Sequence, residues 1–125
     1  MDINGLTVGN LLLKDGEPHF ITLADLIEID KVANGLSGVD YQPVSLTEEW
    51  LIKANFEIEI TYDRYLPDQK AYYKAGLIFN AAFELATTDG TGYNVITIGQ
   101  PLKYVHSLQN LFFALSGKEL GINLR

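Results

Sequence analysis

Phe56, Ile58, Ile60 and Tyr62 alternate with Glu57, Glu59 and Thr61. A period of two sends successive side chains to opposite faces of a strand, so this segment demands a sheet with one apolar and one wet face. Near the other end of the chain the period changes. Val105, Leu108, Phe112 and Leu115, widened by Tyr104 and Leu111, recur at helical spacing from about Lys103 to Ser116, and Gly117 closes the run. A chain that holds both patterns must pack helix on sheet. The predicted fold class is α+β: a curved antiparallel sheet or partial barrel with two covering helices, in a single domain over residues 1–125.

The remaining segments fill in that frame. Leu6 to Leu13 is apolar-rich and interrupted by Gly9-Asn10. Asp15-Gly16 is a hairpin turn signal, and His19 to Leu23 reads as the returning strand. Ile27-Glu28-Ile29 reads as a short extended segment. Residues 33–45 read as loop with one short edge strand ending at Pro43. Ser45 or Thr47 can cap a two-turn helix whose first turn holds Glu48 and Glu49, where the helix dipole favours carboxylates, and Ser45-Leu46-Thr47-Glu48 fits a capping box. Asn55 suits the left-handed position that ends such a helix. Residues 70–98 read as a β-meander containing an extended run from Lys70 to Phe79, a segment 81–88 that is strand or helical turn, and a hairpin at Asp89-Gly90.

Composition excludes several function classes. The chain has 125 residues, 47% hydrophobic, which suits one globular core. It has no cysteine, so disulfide scaffolds, thiol nucleophiles and Cys-based zinc or iron–sulfur sites are out. Sixteen acidic residues against nine basic give a charge of −7, and the basic residues are scattered singly. General nucleic-acid binding, which needs a basic stripe, is therefore not expected. No apolar run approaches the ~20 residues of a membrane span, and the N-terminus lacks the pattern of a secretory signal, so a cytoplasmic protein is expected.

No catalytic constellation emerges. His19 and His106 stand 87 positions apart without metal-ligand spacing, so no metal and no cofactor is expected. The serines lack a nucleophile-elbow context, and no phosphate-binding glycine loop occurs. Glu57 and Glu59 share a strand face and read as its solvent side. Two clusters carry binding chemistry. Tyr62, Tyr65, Tyr72 and Tyr73 bracket the stretch that holds Arg64 and Lys70, with Lys74 just beyond. Aromatic faces with cations can stack a base and hold a phosphate, can anchor a protein interface, or can form a ladder within a sheet. His106, Gln109, Asn110 and Phe113 share one side of the last helix. They can line a pocket, or His106 and Asn110 can bond loop backbone and fix how the helix docks.

Leu46-Thr47-Glu48-Glu49-Trp50-Leu51, followed by a strand that begins Phe-Glu, is one distinctive segment. Lys103-Tyr104-Val105-His106-Ser107-Leu108-Gln109-Asn110-Leu111-Phe112-Phe113-Ala114-Leu115 through Leu120 is a second. With Leu6-x-Val8-Gly9-Asn10 and Gly16-x-Pro18, these resemble a family of small phage- and prophage-type proteins of gut bacteria. The resemblance implies a small accessory protein acting in the cytoplasm of a bacterial host, and it supplies no catalytic residue. By analogy of context, several such accessory proteins capture nucleotide-derived immune signals of the host without cleaving them. The expected function is thus a non-enzymatic binder that sequesters an ADP-ribose derivative or cyclic nucleotide as a homo-oligomer. Arg64, Lys70 and Lys74 would hold phosphate, Tyr65 and Tyr72 would stack, and His106 and Asn110 would give polar contacts. The alternative is a protein-binding inhibitor or adaptor of a host protein.

Overall fold

A computed structural model of the chain describes residues 5–61, 69–88 and 95–124. The elements run β1 (Leu11–Lys14), β2 (Glu17–Phe20), α1 (Leu23–Ala33), β3 (Tyr41–Pro43), α2 (Glu48–Lys53), β4 (Glu57–Thr61), β5 (Gln69–Lys74), β6 (Leu77–Phe79), β7 (Glu84–Thr88), β8 (Val95–Pro101) and α3 (Val105–Ser116). The fold is α+β, with two antiparallel sheets, neither of which closes into a barrel among the described residues. No helix among them is long and apolar enough to cross a membrane. Packing divides the chain into two compact units. One comprises Met1–Leu46 with Tyr104–Leu120, the other Thr47–Lys103 with Gly121–Asn123.

The first unit is built on the sheet β2-β1-β3. Asp15 and Gly16 both take the left-handed conformation (φ 50° and 83°), which joins β1 to β2 with Leu11 opposite Phe20 and Lys14 opposite Glu17. β3 is the expected short strand ending at Pro43, and it lies on the sheet edge, where a proline costs least. Leu12, Ile21, Ile29 and Tyr41 form a buried cluster, with Leu26, Val32 and Val39 packed against it. Leu11 and Leu12 are both fully buried, so both faces of β1 are covered.

α1 departs from the sequence expectation. Ile27-Glu28-Ile29 is helical, which makes three helices rather than two among the described residues. The cause is local: Thr22 is the N-cap, its side chain accepts from the Asp25 N–H, and Asp25 reaches back to the Thr22 N–H in a full capping box. Once the chain is launched as a helix, Ile29 lands on the core and Ile27 on the surface.

α3 closes the first unit. Val105, Leu108 and Phe112 are buried as the helical spacing predicts, but Leu115 is 53% exposed and Gln109 is buried in the same face. Gly117 ends the helix at φ 73°, donating its N–H to the Phe113 carbonyl.

The second unit is a five-stranded meander in the order β4-β5-β6-β7-β8. The run from Lys70 to Phe79 is two strands rather than one, because Ala75 and Gly76 turn through left-handed values (φ 50° and 83°). Segment 81–88 contains strand β7, and its hairpin partner β8 is present, while Asp89-Gly90 lies outside the described residues. α2 begins after Thr47, whose side chain makes no capping bond; the box expected from Ser45 is not formed. Asn55 follows it at φ 62°, the left-handed stop expected there. Leu51, Ala54, Phe56, Ala71, Tyr72, Phe79 and Ala86 are buried among its described residues, with Phe56 and Phe79 ring to edge at 5.9 Å. Ile58, on the predicted apolar face of β4, is 41% exposed.

Candidate functional site

The left-handed Asn55 and the Ala75-Gly76 turn shape one end of the five-stranded sheet. Between them lies a cavity of about 350 Å³, lined by Asn55, Glu57, Tyr73, Lys74 and Ile78, with the turn itself at its margin. Strand pairing builds its floor: Glu57 is opposite Tyr73 across β4 and β5, and Tyr73 is opposite Ile78 across β5 and β6. These three residues therefore share one rung and one face. Burial pushes the Tyr73 phenol up, and the charge and hydrogen bond of Glu59 add to this. The Lys74 ammonium donates to the Ala54 carbonyl at 2.5 Å and lies 6.0 Å from the centre of the Phe56 ring. Burial pushes its pKa down.

The residues singled out from sequence are distributed as follows. Lys74 lines this cavity. Lys70 and Tyr72, two strand positions apart, converge instead on Glu48 of α2, with Nζ and the phenol oxygen at 2.9 and 3.1 Å from the same carboxylate oxygen. That pairing holds Glu48 below the usual carboxylate range. Burial, with Glu48 adding, pushes the Tyr72 phenol up to about 12. Tyr72 is a core residue, tilted against Phe83 at 5.9 Å. Arg64 and Tyr65 lie outside the described residues.

His106 and Asn110 belong to α3, in the other unit. The Asn110 amide donates to the Gly5 carbonyl at 2.5 Å, and its oxygen accepts from Asn10 at 2.9 Å and from Thr7 at 3.2 Å. Its neighbour Gln109 accepts from the Leu11 N–H at 2.7 Å and donates to the Gly9 carbonyl at 3.0 Å. These amides tie the helix to the N-terminal loop and β1. His106 stacks on Tyr104 at 5.5 Å with an 8° interplanar angle. Its Nδ1 is buried with no hydrogen-bond partner among the described residues, and burial lowers its pKa.

Sequence reasoning passed over one cluster. The Asp25 carboxylate, 6% exposed, accepts from the Thr22 N–H and hydroxyl, from Lys14 at 2.9 Å and from Tyr41 at 2.9 Å. His19 Nε2 lies 2.8 Å away and carries the hydrogen, because a carboxylate only accepts. Glu28 Oε1 lies 2.6 Å from the same Tyr41 hydroxyl, so the two carboxylates share its single hydrogen. Burial alone would raise the Asp25 carboxyl, but the donors from Thr22, Lys14, His19 and Tyr41 outweigh it and hold it well below the usual range. Burial, then Glu28 and Asp25, push the Tyr41 phenol well up. Asp25 thus gathers donors from β1, β2, β3 and the start of α1 on one carboxylate, which is the mark of a structural junction. Thr22-x-x-Asp25 was the available signal for it. Among the described residues no group of three or more side chains is arranged to hold a metal.

Comparison with models of known families, with curated proteins and with solved structures finds no match.

Proposed function

We propose that this chain is a non-enzymatic binder that sequesters a small nucleotide-derived signal, as a phage-type accessory protein in the cytoplasm of a bacterial host. The observation that carries the reading is the cavity that brings Lys74, Tyr73, Asn55 and Glu57 together. Its volume of about 350 Å³ lies at the lower end of small-molecule sites. Its lining residues include a lysine, a tyrosine and an asparagine, whose side-chain amide both donates and accepts.

The experiment is a thermal-shift panel of ADP-ribose, mononucleotides and cyclic nucleotides, followed by mass spectrometry of the recovered ligand. A ligand at 100 times its Kd stabilises by about 2.7 kcal/mol. The expected result is a shift with at least one member, recovered intact and weakened by Lys74→Met. Absence of any shift, or recovery of a cleaved ligand, refutes the proposal.

A second reading, a protein-binding adaptor, draws support from α1. Leu23 and Ile27 are 65% and 54% exposed one helical turn apart, the spacing at which a helix offers apolar anchors to a partner.

A further inference from the structure

We infer that the free edge of β4 docks an extended basic segment of another protein, one in which lysine or arginine alternates with apolar residues. β4 is the outermost strand of its sheet, with β5 its only strand partner among the described residues. Alternate residues of such a strand turn their N–H and C=O groups away from the sheet, where an incoming strand can pair with them. Glu57 also lines the cavity, but nothing in this role requires a ligand there.

Both faces of the edge are open. Ile58, Tyr72 and Phe79 share one rung across β4, β5 and β6. Tyr72 and Phe79 are 3% and 1% exposed, whereas Ile58, on the same face, is 41% exposed. The covered apolar surface thus stops one strand short of the edge. On the opposite face Glu57 and Glu59 are both exposed. Glu59 accepts from Tyr73, and neither carboxylate is ion-paired with a described residue. These charges decide what can complete the edge. When two copies pair about a two-fold axis, the same faces must match, so registers centred on Ile58 or Glu59 set Glu57 against Glu59 or Glu59 against itself. Like charges directly opposite destabilise a strand pair, which makes a second copy a poor occupant. A strand with Lys or Arg on either side of an apolar residue matches both faces. Its cations stand opposite Glu57 and Glu59, and its apolar side chain covers Ile58. Main-chain bonds then supply affinity and alternate side chains supply specificity. The chain's net charge of −7 adds long-range attraction for such a segment.

The test is fluorescence anisotropy of the intact chain with three labelled peptides: Lys alternating with Val, Glu alternating with Val, and Lys alternating with Pro, which keeps the charge but cannot pair as a strand. The Lys-Val peptide should bind about tenfold more tightly than either of the others, through two cross-strand charge pairs and the ladder bonds. Replacing both carboxylates, Glu57→Gln with Glu59→Gln, should shrink its advantage over the Glu-Val peptide to about threefold or less. Reversing them, Glu57→Lys with Glu59→Lys, should transfer the preference to the Glu-Val peptide. Circular dichroism of each variant checks the fold. Equal binding of the Lys-Pro peptide overturns the inference, since charge alone then suffices. Binding of none of the three, or a preference unchanged by charge reversal, overturns it too. If the Gln variant self-associates in sedimentation while the parent binds no peptide, the two glutamates serve only to keep the edge unpaired, and the inference falls.

Discussion

Asp25→Asn is the substitution with the largest expected effect on stability. It preserves shape and removes the charge around which β1, β2, β3 and the start of α1 are assembled. Removing one partner of a buried ionic cluster costs about 3–5 kcal/mol. Lys14 and His19 are 34% and 38% exposed and can be resolvated by water, so the lower end applies, about 3 kcal/mol. At about 4 °C per kcal/mol for a chain of this size, Tm should fall by about 12 °C. The assay is thermal and urea denaturation at pH 7, then repeated from pH 7 to 3. Asp25 has a depressed folded pKa, so its contribution is full above the unfolded carboxyl value of about 3.9 and is lost as pH falls through the folded value. The parent should therefore lose stability below about pH 5 more steeply than the Asn variant. A variant within 0.5 kcal/mol of the parent at pH 7, or parallel pH profiles, refutes the assignment of Asp25 as the junction.

Two smaller effects follow from the same reasoning. Gln109→Leu leaves the Leu11 N–H and Gly9 carbonyl without their partner in a buried setting, and should cost about 2–3 kcal/mol in urea midpoint analysis; an unchanged midpoint would sink the role given to that side chain. Ala75→Asn places a residue that tolerates left-handed backbone at φ 50° in the β5–β6 turn. It should stabilise by about 0.5–1 kcal/mol, and a loss of stability would contradict the turn geometry.

Legibility in the sequence followed the range of the interactions. Asp15-Gly16, Asn55, Gly117 and the period of α3 are local signals, and each appears where expected. The meander is likewise visible as alternation and turns. α1 was hidden because Ile27-Glu28-Ile29 has strand-like composition, whereas its conformation is decided by a cap several residues upstream. Ala75-Gly76 escaped because alanine seldom takes φ > 0, and pairing of β5 with β6 imposes it. At the site, Lys74 was legible as a cation near aromatics. Its neighbours Asn55 and Glu57 were not, because strand register alone brings residues 55–57 beside residues 73–78. Lys70 and Tyr72 both meet Glu48, more than twenty positions away, a pairing that no local pattern displays.

The first unit is assembled from both ends of the chain, with Ser45 bridged to Tyr104 where the chain leaves it and returns. Synthesis from the N-terminus therefore produces β1, β2, α1 and β3 well before the helix whose Gln109 and Asn110 satisfy their loop exists. The strands of the second unit pair with their sequence neighbours, so its sheet rests on local contacts, while Asn123 adds a distant one by donating to the Lys53 carbonyl. The sheet of the first unit is therefore completed by side chains encoded far from it in sequence, whereas the sheet of the second is built from neighbours.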